Sequence, residues 1–233
     1  MNVNGTSLDT VLRIGKLVLN GIFHLCVAGL TVYTIWLPIT SYTWPFSWHV
    51  ILCTLGILPL ITESLIVFSK QNIWSQEIDR KQKHWIHVIL IISIGGLLIF
   101  IGVGFEIYRI AVHTDPTVKH FSSPHSITGL IGIIFIINAM VCGVLAFNTQ
   151  RIYKWNRKAR PIYFKLIHNI LGQAAYLLCL ISFCLGHFIP WFVKNLSDAS
   201  RITAMIVAII VAIWSMICAW RSLFSKITFL RNV

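Results

Sequence analysis

Six long apolar segments divide this chain of 233 residues and constrain its fold. An α-helix of about 20 residues crosses the hydrocarbon core of a bilayer, which is about 30 Å thick. The segments cover residues 17–37, 47–68, 84–107, 125–147, 163–186 and 202–224. Only 11% of the residues are charged, whereas a soluble domain carries about 25%. We therefore predict an all-α integral membrane protein with six transmembrane helices and no separate soluble domain.

The basic residues are distributed unevenly between the two sides of such a membrane protein. With six spans both termini lie on one side, and that side collects 15 of the 19 Lys and Arg residues. Because Lys-rich and Arg-rich loops stay in the cytosol, we predict a cytosolic tail at 1–16, a transmembrane domain at 17–224 and a cytosolic tail at 225–233. This basic face suits anionic lipid headgroups. It does not indicate nucleic-acid binding, because no soluble basic fold remains to carry it.

Four histidines recur near the starts of successive apolar segments. They are His49, His87, His125 and His168, at intervals of 38, 38 and 43 residues. An ionisable side chain inside a bilayer is costly and marks a functional site by default. Because alternate helices run in opposite directions, His49 and His125 are expected on the non-cytosolic side, and His87 and His168 on the cytosolic side. The spacing predicts two pairs of ligands, each pair donated by two helices.

A pair of imidazoles that face each other across a helical bundle can supply both axial ligands of a haem iron. Gly129 and Gly172 follow His125 and His168 by four residues, on the same helix face. They either leave room for a flat macrocycle or allow close helix packing. Two irons would lie on the order of 20 Å apart across the membrane. We predict a central four-helix bundle, formed by spans two to five, that holds two haems.

Other ionisable groups in the apolar segments leave alternatives open. His84 lies one turn shallower than His87, so His87 is preferred as the ligand. His24 has no visible partner at its depth and is interpreted as a packed, hydrogen-bonded residue. Glu63 is either an interfacial carboxylate or a group that tunes the nearby redox centre or relays a proton. His187 is either an ordinary loop histidine or a contact for an acceptor substrate.

Short segments around these histidines form a recognisable series. They are Ser47-Trp48-His49, Thr62-Glu63, Phe68-Ser69, the basic run before His87, His125-x-x-x-Gly129-Leu130 and Lys165-Leu166-Ile167-His168-x-x-x-Gly172. Over about 45–190 the chain resembles the cytochrome b561 family, and within it the short single-domain branch, the cytochrome b561 domain-containing proteins. The resemblance implies two b-type haems, cytosolic ascorbate as electron donor, and a homodimer. It also implies a non-cytosolic acceptor, either monodehydroascorbate or a ferric chelate.

Ascorbate is an anion at neutral pH, so a cytosolic pocket of Lys and Arg side chains would attract it. The candidates near His87 and in the facing loop are Lys81, Lys83, Arg151, Tyr153, Lys154 and Arg157. On the other side, position alone makes His113, Lys119 and His120 candidates for contact with the acceptor.

The leading hypothesis is a transmembrane ascorbate-dependent oxidoreductase that reduces monodehydroascorbate or ferric chelates. It would reside in the endoplasmic reticulum, a vesicle or the plasma membrane. An alternative is a haem-bearing subunit that relays electrons within a larger membrane complex. A third hypothesis is a transporter or proton channel with titrating histidines, which explains poorly why the histidines form two pairs at two depths. Bound haem separates the first two hypotheses from the third, and fast reduction by ascorbate separates the first from the second.

Overall fold

The computed structural model describes residues 3–70, 72–113, 119–155 and 160–231. Within this part of the chain the structure is helical, and six helices are long and apolar enough to cross a membrane. In chain order the helices are α1 (Val3–Thr40), α2 (Phe46–Ile66), α3 (Arg80–Ala111), α4 (Pro124–Phe147), α5 (Thr149–Trp155), α6 (Pro161–Gly186), α7 (Pro190–Asn195) and α8 (Asp198–Arg231). The short α5 and α7 lie between spanning helices. The predicted all-α fold with six spans is confirmed.

The two outermost helices extend well beyond the apolar segments that predicted them. Helix α1 begins at Val3 and α8 ends at Arg231, so most of the predicted tails 1–16 and 225–233 is helical. Apolar composition marks the part of a helix that fits hydrocarbon, whereas backbone hydrogen bonds continue past it. The apolar segments therefore locate the spans but not the helix ends.

The helices alternate in direction and define two ends of the molecule. We call the end with the start of α1, loop 67–79, helix α5 and the last turns of α8 the basic end. The other end, with residues 41–45, the α3–α4 connection and α7, is called the opposite end. Capping residues set where two inner helices begin. Asp79 accepts hydrogen bonds from the backbone of Lys81 and Gln82 at the start of α3, and Ser123 forms a capping box at the start of α4.

The four inner helices form two hairpins, α2–α3 and α4–α6, in which the two helices pack along each other. Glycines allow this close approach. A Cβ atom added at Gly102 would lie 2.9 Å from the Cys53 sulfur, and one added at Gly132 would lie 3.0 Å from the Cys179 sulfur. Helix α1 packs outside α2, α8 packs outside α6, and α1 and α8 also contact each other. The result is the predicted four-helix bundle, against which the two outer helices α1 and α8 pack.

A buried layer in the middle of the bundle connects the two hairpins. Ile99 of α3 and Ile136 of α4 belong to one apolar cluster that also includes Tyr176 of α6. The Tyr176 hydroxyl lies 3.0 Å from the Thr62 Oγ1 atom of α2 and donates to the Ser215 Oγ atom of α8 at 3.1 Å. The layer thus combines apolar packing with hydrogen bonds that satisfy its buried hydroxyls.

Helices α2 and α3 each contain a π-helical segment where they face each other. The segment Gly56–Ile61 in α2 includes Pro59, which has no N–H to donate, and the segment in α3 is Ile89–Gly95. A Cβ atom added at Gly56 would lie 2.8 Å from the Gly95 oxygen and 2.6 Å from the Ile99 Cγ1 atom. The two backbones therefore meet at a distance that a larger residue does not permit.

We expect Gly56→Ala to lower the melting temperature of the detergent-purified protein, measured by tryptophan fluorescence. The added methyl group would push α2 away from α3, and overpacking of this kind costs about 1–3 kcal/mol. Gly104→Ala in α3 is the matched control, because nothing lies within 4 Å of a Cβ atom at that position. Equal melting temperatures for the two variants would contradict this packing.

Candidate functional site

The four predicted histidines lie in two pairs, and each pair bridges the two hairpins. His49 of α2 faces His125 of α4 at the opposite end, with ring centroids 6.1 Å apart and ring planes at 83°. His87 of α3 faces His168 of α6 at the basic end, at 6.0 Å and 89°. The buried middle layer separates the pairs. The structure therefore brings together the same residues that helix direction had paired.

All four imidazoles donate through Nδ1 to a backbone carbonyl of the neighbouring helix in their own hairpin. The nitrogen-to-oxygen distances are 3.0 Å for His49 to Gly102, 2.9 Å for His87 to Ser64, 2.8 Å for His125 to Ser182 and 2.8 Å for His168 to Ala139. A proton on Nδ1 leaves the lone pair on Nε2, and metal-bound histidines almost always have such a partner. Each ring is thus held in the tautomer that can bind a metal through Nε2.

His84 does not share this arrangement. Its Nδ1 atom lies 2.6 Å from the carbonyl oxygen of Arg80, four residues earlier in the same helix. Its exposed ring lies beside Phe68, with centroids 5.0 Å apart, and not against a second histidine. His87 rather than His84 therefore faces His168, and its role as the ligand stays a prediction.

The two pairs fit haem better than a metal ion held by side chains alone. Among the described residues, no group of three or more His, Cys, Asp or Glu side chains could hold a metal ion. Two facing imidazoles match the axial positions of a haem iron, whose other ligands come from the macrocycle. Imidazole nitrogens bind transition metals at about 2 Å, so two such bonds and two ring radii separate the centroids by about 6 Å. The observed separations agree with this value.

The two glycines singled out in the sequence have different surroundings. A Cβ atom added at Gly172 meets nothing within 4 Å, so the face of α6 beyond His168 is open, as a macrocycle requires. A Cβ atom added at Gly129 would lie 3.0 Å from the Ser182 Oγ atom. Gly129 therefore serves close packing between α4 and α6, which was the other interpretation of the sequence.

Two further glycines, which sequence reasoning missed, lie directly against histidine rings. A Cβ atom added at Gly143 would lie 3.0 Å from His168 Cε1, and one added at Gly186 would lie 3.1 Å from His125 Nδ1. Gly143 lies on α4, 18 residues after His125, and contacts His168 of α6. Gly186 lies on α6, 18 residues after His168, and contacts His125 of α4. This long-range relation gave no local sequence signal.

An ion pair borders the histidine pair at the opposite end. Arg109 donates through Nε and Nη2 to the Glu106 carboxylate, at 2.8 and 2.7 Å. The guanidinium carbon lies 5.8 Å from the centroid of the Phe46 ring, which is 6.0 Å from the His49 ring. Arg109 is one of the four Lys and Arg residues outside the side that collects the other 15. The i,i+3 spacing from Glu106 was a signal that could have identified the pair.

His187 is buried, in contrast to both interpretations of it as a surface histidine. Its side chain is 1% exposed and packs against the rings of Phe183 and Phe192, with centroids 4.8 and 5.0 Å away. Its Nδ1 atom donates to the Phe183 carbonyl at 3.0 Å. Burial lowers the pKa of His187, which favours the neutral ring. Helix α7, which contains Phe192, covers this position.

The predicted acceptor contacts lie at the surface of the opposite end. His113, Lys119 and His120 are all exposed, in the connection between α3 and α4. The His120 ring lies beside Phe121, with centroids 6.0 Å apart. Their role toward an acceptor stays a prediction.

The predicted donor contacts lie at the basic end, on two neighbouring elements. The described candidates are Lys81 and Lys83 in the first turn of α3, and Arg151, Tyr153 and Lys154 on α5. The start of α3 contacts the end of α4, which directly precedes α5, through the rings of Trp85 and Phe147, whose centroids lie 5.3 Å apart. Lys83 is half-buried and the other four are exposed. Arg157 lies outside the described residues.

Lys226 of α8 is a basic-end residue that the sequence analysis placed in the C-terminal tail. Its Nζ atom donates to the Ser222 Oγ atom at 2.6 Å. Its charge acts on His168, and the charges of Lys165 and Arg80 act on Lys226 in turn. We call Arg80, Lys165 and Lys226 the cation cluster. The continuation of α8 to Arg231 carries Lys226 to this position, and the apolar segment 202–224 gave no indication of that.

His24 has a charged partner, contrary to the sequence expectation that it had none at its depth. Its Nδ1 atom lies 2.8 Å from the Glu63 Oε1 atom, and its Nε2 atom lies 3.1 Å from the Asn72 Oδ1 atom. The second Glu63 oxygen accepts a hydrogen bond from Trp74 Nε1 at 2.7 Å. Residue counts from the starts of the apolar segments do not fix the alignment of two antiparallel helices to within one turn. The sequence therefore did not show that His24 of α1 lies beside Glu63 of α2. The interpretation of His24 as a hydrogen-bonded residue was right.

Comparison with known proteins identifies the family. The family described as "Eukaryotic cytochrome b561" matches residues 48–193, which include all four paired histidines. The chain is similar to Transmembrane reductase CYB561D2 of Mus musculus, with 26% identity over 197 residues that cover 82% of each protein. It is 27% identical to Transmembrane reductase CYB561D2 of Homo sapiens over the same length and coverage. Because the family match covers more than half of the chain, this protein belongs to the eukaryotic cytochrome b561 family, whose members are multi-pass membrane proteins with b-type haem.

Proposed function

We propose that the protein is a transmembrane ascorbate-dependent oxidoreductase. His49 and His125 would hold one b-type haem, and His87 and His168 a second. Bound haem would supply a one-electron couple at each end, which suits transfer of electrons from cytosolic ascorbate to non-cytosolic monodehydroascorbate or a ferric chelate. The observation that carries the proposal is the presence of two facing imidazole pairs, each ring anchored through Nδ1 to a backbone carbonyl.

The distribution of charge supports the direction of this transfer. Cytosolic loops carry an excess of Lys and Arg, and the basic end collects most of these residues. In the proposal this end and both termini face the cytosol, where the ascorbate anion would meet the cation cluster together with Lys81 and Lys83. The homodimer and the choice among endoplasmic reticulum, vesicle and plasma membrane remain predictions of the family resemblance.

Haem quantification distinguishes the proposed ligands from their neighbours. We expect about two low-spin b-type haems per purified chain, in line with two ligand pairs. His87→Ala should remove one of them, because His168 alone cannot hold both axial positions. His84→Ala is the matched control and should retain both. Loss of a haem in His84→Ala, or a wild-type protein without haem, would contradict the assignment.

Stopped-flow reduction by ascorbate tests the donor end. Lys226→Gln should slow haem reduction about fivefold, because an exposed charge pair contributes about 1 kcal/mol. Added salt should slow the wild-type protein more than this variant, since ions screen the attraction. Lys194→Gln, on α7 at the opposite end, is the control and should reduce at the wild-type rate. Equal rates in the two variants would exclude the cation cluster as the ascorbate site. Slow reduction of the haem-loaded wild-type protein would favour an electron-relay subunit instead.

A further inference from the structure

The hydrogen-bonded pair of His24 and Glu63 lies at the basic end, where the outer helix α1 meets α2 of the four-helix bundle. We propose that this pair takes up one proton when the haem at His87 and His168 is reduced, and releases it when the electron leaves. The inference rests on the proposed function, because it requires a redox centre at that histidine pair. It assigns a role to α1, which contributes none of the four paired histidines.

Both ring nitrogens of His24 face oxygen atoms that accept hydrogen bonds. Nδ1 faces the Glu63 carboxylate and Nε2 faces the Asn72 Oδ1 atom. The orientation of the Asn72 amide is set by its Nδ2 atom, which donates to the Ile66 carbonyl at 3.3 Å. A neutral imidazole has one N–H and satisfies only one of the two oxygens, whereas the imidazolium satisfies both. The surroundings are therefore built to receive a second proton on His24.

The last turn of α2 connects this proton site to the basic-end histidine pair. Glu63 precedes Ser64, whose carbonyl accepts the Nδ1–H of His87 at 2.9 Å. Phe68, just beyond that turn, lies against the His87 ring with centroids 5.4 Å apart. Charges separated by a low-dielectric interior interact strongly. One electron added at the His87–His168 pair therefore raises the proton affinity of His24. By the same coupling, a proton on His24 raises the electron affinity of the redox centre at His87 and His168.

The opposite end has a matching carboxylate with a different partner. There Glu106 is paired with Arg109, beside His49. A guanidinium keeps its charge throughout the physiological pH range, whereas an imidazole gains and loses a proton within it. Two carboxylates thus lie near two redox positions, but only the one at the basic end has a partner that can exchange a proton.

The pair is partly shielded, and the described side chains that contact it are otherwise neutral. Both side chains are 20% exposed, which leaves access for protons from the basic end. His24 contacts Glu63 of α2, Asn72 of loop 67–79 and the Phe23 ring of α1, which stacks on Trp214 of α8. Glu63 also accepts from Trp74 of the same loop. Tyr176 of α6 lies farther away, against Thr62, which precedes Glu63. Of these, Glu63 carries the charge that changes the proton affinity of His24.

The proposed step balances with ascorbate as the reductant. One-electron oxidation of the ascorbate monoanion gives monodehydroascorbate, one electron and one proton. The haem that His87 and His168 would hold would take up the electron, and an equivalent proton would bind the His24 imidazole to form an imidazolium beside Glu63. When the electron passes on, the proton returns to the same side, so no proton crosses the membrane.

Potentiometric titration of the haem-loaded protein between about pH 6 and 9 tests the inference. The midpoint potential of the basic-end haem should fall as pH rises, with a slope that approaches about 59 mV per pH unit, since a tenfold change corresponds to 59 mV for a one-electron couple. In His125→Ala the haem at the opposite end should be lost, so the remaining potential belongs to the basic-end haem. This variant shows which of the two wild-type potentials belongs to which haem. His24→Gln still donates to Glu63 but cannot titrate, and it should flatten the slope. Glu106→Gln is the matched control and should retain it.

A wild-type potential that does not vary with pH would overturn the inference. The inference would also be overturned if His24→Gln melted at a lower temperature but kept the wild-type dependence of the midpoint potential on pH. The His24–Glu63 pair would then only anchor loop 67–79. If His24→Gln does not bind haem, Glu63→Gln provides the second test and should also lose the slope in this pH range. A wild-type chain without haem refutes the proposed function as well, whereas bound haem with a constant potential refutes the proton site alone.

Discussion

The hydrogen bond from each paired imidazole to the backbone of its partner helix determines the rest of this structure. Within α2–α3, His49 donates to Gly102 and His87 donates to Ser64, in opposite directions along the hairpin. The hairpin α4–α6 repeats this reciprocal arrangement. Backbone carbonyls in a helix move only with the helix, so each hairpin presents one oriented ring at each end. A ligand that joins facing rings therefore also joins the two hairpins.

Sequence reasoning found the parts of this design that depend on helix direction and length. Apolar runs and histidine spacing were sufficient to predict six spans and the two facing histidine pairs. The carbonyl partners were not accessible, because a backbone oxygen has no sequence signature. Gly186, which lies against His125, was missed because that contact depends on how α4 and α6 are staggered. The Glu63 partner of His24 and the position of Lys226 within α8 were missed. Apolar composition marks the part of a helix in the hydrocarbon and indicates neither its contacts nor its ends.

Charge is arranged differently at the two ends, and this difference follows from the residues on the outer helices. Helix α8 brings Lys226 to the basic end, where its charge acts on His168, and α1 brings the titratable His24. At the opposite end Arg109 is already neutralised by Glu106, and α7 covers the buried His187. The outer helices do not contribute the paired histidines. They bring Lys226 and His24 to the basic end, where the proposed function places an anionic donor and we infer a proton site.

The middle layer separates the two histidine pairs with apolar side chains and three buried hydroxyls. Its three hydroxyls donate in separate steps: Thr62 donates to the Ile57 carbonyl, Tyr176 donates to Ser215, and Ser215 donates to the Val211 carbonyl. A carbonyl that accepts a hydrogen bond has no proton to pass on, and the surrounding side chains are apolar. Burial of a charge in apolar surroundings is costly, so we expect proton exchange to occur at each end separately. An ionisable pair near one end can then exchange protons with that end, which a pair in the middle layer could not do.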